Sequence, residues 1–356
     1  MTDAGPTRSG WSRRGALTTL TATSAAAALG GRAAARSSGG GHHLPGHGGG
    51  EQSASGRLYE IRSGHHRALV GGVAATLLSW RVSGEEMLLT HSPDEVGEGF
   101  QGKTILPWPN RIDRGTYEFN GERLRVPINE PSRQAALHGL MNFVEWEPVR
   151  HRTDSVSLRY LLHPQYGYPF RMAFLVEYSV DRHGVRCTLT AENAGEHEAP
   201  VGWANHTYIA AGTGGTDGME LRLPAATYYR TNERLIPTGT ASVAGTEYDF
   251  RSGRTIGSTS MDTAFKDLAR NRRGHATVRF GRTDGLDVLL WVDESYGYLQ
   301  VYTDDAPSEQ RPQPARSGIT VEPNTCPPNA FVTGEAVRVV RPGERHTGTW
   351  GVLVPR

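Results

Sequence analysis

Six side chains in five short stretches of this 356-residue chain carry groups able to hold hydroxyls or move protons. In Pro107-Trp108-Pro109-Asn110-Arg111-Ile112, two prolines fix the backbone that presents an amide and a guanidinium. Ala136-Leu137-His138-Gly139-Leu140 sets an imidazole before a glycine at the edge of an apolar run, where a histidine satisfied within the core is the competing role. Val201-Gly202-Trp203-Ala204-Asn205-His206-Thr207-Tyr208 flanks a histidine with aromatics. Met261-Asp262-Thr263-Ala264-Phe265 holds a carboxylate that would serve equally as the N-cap of a short helix. Val321-Glu322-Pro323-Asn324-Thr325-Cys326-Pro327-Pro328 ends a strand on a glutamate followed by three prolines in six residues. A carboxylate near pKa ~4.3 and an imidazole near ~6.5 occupy complementary protonation states around neutral pH, and such an acid/base pair contributes ~10² to 10⁴ in rate.

The elements that must position these groups read as strands. Met172, Phe174, Val176, Tyr178 and Val180 alternate along one run, and Val185, Cys187, Leu189 and Ala191 face one way while Arg186, Thr188, Thr190 and Glu192 face the other. This is the pattern of half-buried antiparallel strands. Thr116 to Phe119 and Arg123 to Val126 flank Asn120-Gly121-Glu122, a hairpin signal because Asn-Gly tolerates positive φ. Further strands are expected at 156–162, 277–281, 286–292, 298–303, 319–322, 336–340 and 349–354, and the single helix at 261–270. Many strands with almost no helix predict an all-β fold, a large antiparallel β-sandwich. Gly97-Glu98-Gly99-Phe100-Gln101-Gly102 matches a dinucleotide fingerprint by letter but fails on context: a turn precedes it, and Pro107 and Pro109 forbid the helix that should follow.

Composition narrows the function. Apolar residues are 37% of the chain and, with 44 glycines, about half of it, enough for a sizeable core. A net charge of +1 lacks the field by which nucleic acid or an acidic membrane surface is engaged. All but Lys103 and Lys266 of the 38 basic residues are arginine, which disfavours Schiff-base chemistry. Cys187 and Cys326 are too few for a disulfide scaffold or a four-thiolate zinc site; one disulfide is conceivable, two free thiols the default.

Residues 1–36 read as an export signal, with Arg13-Arg14 before a weakly apolar stretch from Ala16 to Leu29 and small residues at Ala33-Ala34-Ala35, in the manner of a twin-arginine signal. That stretch is too short for a permanent membrane span. Residues 37–56 form a Gly/Ser/His-rich linker carrying His42, His43 and His47, and 57–356 a single domain with no linker of notable length within it.

Taken in order and at these separations, the five stretches resemble the aldose 1-epimerase (galactose mutarotase) family, particularly its bacterial branch, whose ending is similar to the run from Glu322 to Phe331. Gly167-Tyr168-Pro169-Phe170 and Arg341-Pro342-Gly343-Glu344 match as well, and the likeness spans roughly 57–354. The resemblance implies a galactose mutarotase-like supersandwich with a sugar cleft, interconverting α and β anomers without cofactor or metal. Carried over by position, Glu322 looks like the general base and His206 the general acid, while Asn110, Arg111, His138 and Asp262 look like holders of sugar hydroxyls. Asn-His-Thr-Tyr stands here in place of the more common His-Pro-Tyr, and His138 is followed by a single Gly; both bear on which sugar fits.

The chemistry suits these residue types. Opening a hemiacetal takes the proton from the anomeric hydroxyl and gives one to the ring oxygen; reclosure on the other face reverses both roles, which a Glu/His pair can do symmetrically. Trp108, Trp203 and Tyr168 are candidate platforms for a sugar's C–H face, with core packing as their alternative role. The partner is then a free aldohexose or the reducing end of an oligosaccharide. The competing functions are a hexose-6-phosphate epimerase, which needs further cations, and a non-catalytic carbohydrate-binding module.

Overall fold

The computed structural model describes residues 53–305 and 314–355. The export signal, most of the linker, His42, His43 and His47 lie outside them.

The alternating run at Met172–Val180 buries its apolar set and leaves Leu175 and Glu177 outward. It pairs residue for residue with Gly184–Asn193, so that Tyr178 meets Cys187 and Val176 meets Leu189. These two strands sit inside a nine-stranded antiparallel sheet whose order is Glu147–His151, Ser155–Leu162, Met172–Val180, Gly184–Asn193, Arg345–Leu353, Asp287–Val292, Ala276–Gly281, Glu220–Arg222 and Arg254–Thr255. The second large sheet runs Pro237–Ser242, Ala225–Thr231, Asp262–Leu268, Tyr298–Tyr302, Gly318–Asn324, Ala204–Asn205 and Thr104–Ile105, with Tyr208–Ala210 also pairing Gly318–Asn324. Both contribute to one buried cluster: Phe174, Leu189 and Trp350 from the first, Phe265, Leu299 and Val321 from the second. Tyr178 ties the layers together, its hydroxyl donating to Ala75 O at 3.0 Å and accepting from Asn205 Nδ2 at 3.2 Å. The expected antiparallel β-sandwich is therefore the fold. A four-stranded meander, Leu58–Ser63, His66–Gly71, Thr76–Val82 and Glu85–Glu86, precedes it.

Two expectations change. The segment 261–270 is not helical: Asp262–Leu268 is an interior strand, paired with Ala225–Thr231 on one side and Tyr298–Tyr302 on the other. Ladders on both edges outweigh a weak local helical preference, and Thr263 and Phe265 suit the pleated surface. Asp262 consequently opens a strand and caps nothing. The hairpin closes one residue earlier than expected, with Phe119 opposite Glu122 and a two-residue turn at Asn120 (φ 50°) and Gly121 (φ 81°). The α-helix among the described residues is the single turn Ala330–Thr333, and none is long and apolar enough to cross a membrane. Cys187 and Cys326 are both buried free thiols.

Candidate active site

Every residue of Gly318–Asn324 is buried, Glu322 among them. Gln300 stands directly across from Glu322 on one neighbouring strand. On the other side the chain pairs in two pieces, Ala204 with Asn324 and Tyr208 with Thr320, and the shared register sets His206 across from Glu322. At His206 the ladder is interrupted: its N–H donates to Lys103 O and its carbonyl accepts from Gly102 N, both at 2.9 Å. The backbone at His206 is thereby held by the segment just before Thr104–Ile105, and the imidazole Nε2 lies 3.3 Å from Glu322 Oε1.

Asn110, Arg111 and His138 come from the short ladder of Arg111–Asp113 with Ala135–Leu137. Asn110 (φ 53°) and His138 (φ 58°) lie just beyond its end in left-handed backbone, a region that Asn and His enter more readily than most residues. They close on each other: His138 N–H donates to Asn110 O at 2.9 Å, and Asn110 N–H donates to His138 Nδ1 at 3.3 Å. Arg111 forks onto Glu130 at 2.7 and 2.9 Å, while its Nη1 stands 3.9 Å from Asp262 Oδ2. Asp262 accepts from Gln300 Nε2 at 2.6 Å. All six side chains singled out in the sequence line one cavity of about 450 Å³.

The electrostatics follow from burial. Glu322 is pushed well above the usual carboxylate range by desolvation and by nearby Asp262, with Arg111 acting in the opposite sense. His206 is pushed down to about 3, chiefly by desolvation, and His138 well below the ordinary imidazole value by desolvation, His206 and Arg111. Charge on either member of the 3.3 Å pair is thus disfavoured, leaving one proton between Glu322 Oε1 and His206 Nε2. Glu322 Oε2 and His206 Nδ1, on two residues that line the cavity, are buried without protein partners, polar atoms that a substrate's hydroxyls could satisfy.

Sequence reading missed several lining residues. Glu130, which holds Arg111, lies in no motif that marks it, and Gln300, behind the lining, reaches the site only through its hydrogen bond to Asp262. Phe100, in the segment rejected as a dinucleotide motif, packs its ring 4.8 Å from His138 and 6.0 Å from His206. Conversely, Trp108, Trp203 and Tyr168 are at most 1% exposed and belong to the core, so none is a sugar platform. The aromatics at the cavity are Phe100, Tyr208 and Tyr302. No group of three or more His, Cys, Asp or Glu among the described residues has the arrangement to hold a metal.

The sequence profile of the family described as aldose 1-epimerase matches residues 57–352. This chain belongs to the aldose 1-epimerase family. Membership makes it a sugar isomerase by class. Among relatives, it is 32% identical over 293 residues to the uncharacterized protein YihR of Escherichia coli, covering 82% of this chain and 91% of that one. It is 29% identical over 248 residues to the aldose 1-epimerase of the same organism, covering 64% and 70%. Among solved structures, the GalM/aldose epimerase homologue from C. elegans superimposes with a TM-score of 0.75 at 21% identity, over 84% of this chain and 99% of that one. The galactose 1-epimerase from Lactobacillus acidophilus gives 0.69 at 21% identity, over 82% and 91%. Both carry the same galactose mutarotase-like fold.

Proposed function

We propose that the protein is an aldose 1-epimerase acting on the anomeric centre of a free aldose, by ring opening and reclosure between Glu322 and His206. The observation that supports this reading is the opposed pair itself, 3.3 Å apart and lining one cavity. When the one proton of the pair shifts to His206 Nε2, Glu322 is left as the carboxylate: it takes the O1 proton, C1–O1 becomes a carbonyl, the C1–O5 bond breaks, and His206 protonates O5. Rotation about C1–C2 then presents the other carbonyl face. His206 recovers its proton from O5 as O5 attacks C1, and Glu322 returns its proton to O1. The site ends with the protons it began with, so one acid and one base complete the cycle.

The remaining lining groups suit neutral hydroxyls. Arg111 and Asp262 offer charge-assisted hydrogen bonds, and His138, with Nδ1 accepting from Asn110, has its Nε2 as the donor in the neutral ring. A phosphorylated sugar is disfavoured because the charge of the two lining arginines is already balanced by Glu130, which Arg111 and Arg133 both bind, and Arg133 also donates to Glu233 O. From Arg13-Arg14 we further infer that the protein is exported.

Polarimetry on freshly dissolved α-glucose and α-galactose tests the activity, with acceleration over buffer as the expected result. Glu322→Gln should lower the rate by ~10² to 10⁴ while still binding sugar. Equal and negligible rates in wild type and variant would instead mark a non-catalytic binding protein.

A further inference from the structure

The catalytic reading leaves one buried cation unused. Lys103 is 2% exposed, one of two lysines among 38 basic residues, and desolvation lowers its ammonium to about 8. Its Nζ lies 4.3 Å from the ring centroid of Phe143 and 5.9 Å from that of Phe100, a cation held between two aromatic faces. Phe100 belongs to the catalytic cavity, against His138 and His206. Phe143 lies outside the cavity lining and is 66% exposed. The two rings are therefore no more than about 10 Å apart, one at the acid/base pair and one at the surface.

A single exposed apolar side chain is ordinary. Phe143 differs in being held in place. The ammonium supports its ring, and the preceding Asn142, 4% exposed, donates from Nδ2 to His138 O at 2.7 Å, tying this loop to the catalytic cavity. Asn142 Oδ1 is also buried without a protein partner. A ring fixed in this way loses little freedom when a ligand stacks on it, which favours binding.

We propose that Phe143, supported by Lys103 and anchored through Asn142, forms a subsite for a second sugar unit, so that the preferred substrate is the reducing end of an oligosaccharide. The inference rests on the mutarotase reading of the adjoining cavity. A sugar linked to the one undergoing ring opening leaves past Phe100 and lays its C–H face on Phe143, while Glu322 and His206 act on the reducing unit alone.

Initial mutarotation rates on α-glucose, α-galactose, maltose and lactose, for wild type and Phe143→Ala, test this. Because Phe143 also covers the Lys103 ammonium, thermal unfolding of the variant and its monosaccharide rates check that the fold is kept, and Phe143→Trp retains the ring in any case. The expected result is a fall of about tenfold in kcat/KM for the disaccharides, carried by KM, with monosaccharide rates unchanged and with Phe143→Trp restoring the loss. Equal effects on all four sugars, no effect on the disaccharides, or wild-type activity confined to monosaccharides would overturn the subsite alone. Wild type inactive on all four would overturn the mutarotase reading and the subsite with it.

Discussion

At the scale of single residues, burial sets the pH response of both activity and stability. Because His206 accepts its proton only at about 3, kcat/KM, corrected for the buffer reaction, should hold as pH falls through the ordinary imidazole range near ~6.5 and decline only well below it. An acid limb centred near 6.5 would show that His206 titrates as a solvated ring. Stability carries two opposed contributions. Between pH 6.5 and about 3, the unfolded chain binds a proton at residue 206 that the folded chain refuses, so this residue lowers stability as pH falls. Glu322 acts the other way: its raised folded value means the unfolded chain releases a proton first as pH rises through the carboxylate range, and stability is lost on that side. Thermal unfolding from pH 3 to 7 should therefore fall off less steeply toward acid for His206→Asn than for wild type, and Glu322→Gln should be at least as stable as wild type at pH 7. Identical slopes would mean that burial does not control the imidazole.

At the scale of elements, the site depends on close backbone approaches that only glycine permits. Gly139 sits at φ 72°, and a Cβ there would lie 1.9 Å from Leu106 O. Gly139→Ala should destabilise by more than about 2 kcal/mol and remove activity by displacing His138. Gly121, also at positive φ (81°) but with open space around it, is the control: Gly121→Ala should cost only the left-handed strain, about 1 kcal/mol, and leave activity intact. Denaturant titration of both variants makes the comparison, and equal losses would refute the steric account. Strand legibility followed the same physics. Met172–Val180 and Gly184–Asn193 were readable because each has one buried and one outward face, which writes a period of two into the sequence. Asp262–Leu268 was read as helix because its buried positions run consecutively at Thr263, Ala264 and Phe265, erasing that period.

At the scale of the whole molecule, the described residues preceding the strands also serve the fold. Among the described residues the first strand starts at Leu58, but Ser55 and Arg57 already serve the fold: Ser55 N–H donates to Pro93 O at 2.9 Å, Val73 N–H to Ser55 O at 2.9 Å, and Arg57 N–H to Glu145 Oε1 at 2.8 Å. A chain starting at Ser53 should keep wild-type Tm and activity, whereas one starting at Leu58 should melt lower, each lost hydrogen bond contributing about 1 kcal/mol. Equal Tm for the two truncations would show that this segment is dispensable. The proposed export belongs to the same scale: replacing Arg13 and Arg14 with Lys should retain the protein in the cytoplasmic fraction of its host, and undiminished secretion would refute a twin-arginine route.

The sequence by itself determined the chemistry on offer and the architecture. Glu322, His206, Asn110, Arg111, His138 and Asp262 were nameable from their ordered stretches, and the sandwich from alternation, because residue type and half-burial both leave local marks. Only the tertiary structure decided that the six line one cavity, that Glu322 faces His206 across an interrupted ladder, and that Phe100 joins the lining while Gln300 holds Asp262 from behind it. It also sent Trp108, Trp203 and Tyr168 into the core. These are facts of strand register and layer packing between segments up to some two hundred residues apart, and no local pattern encodes which partner a buried strand will meet.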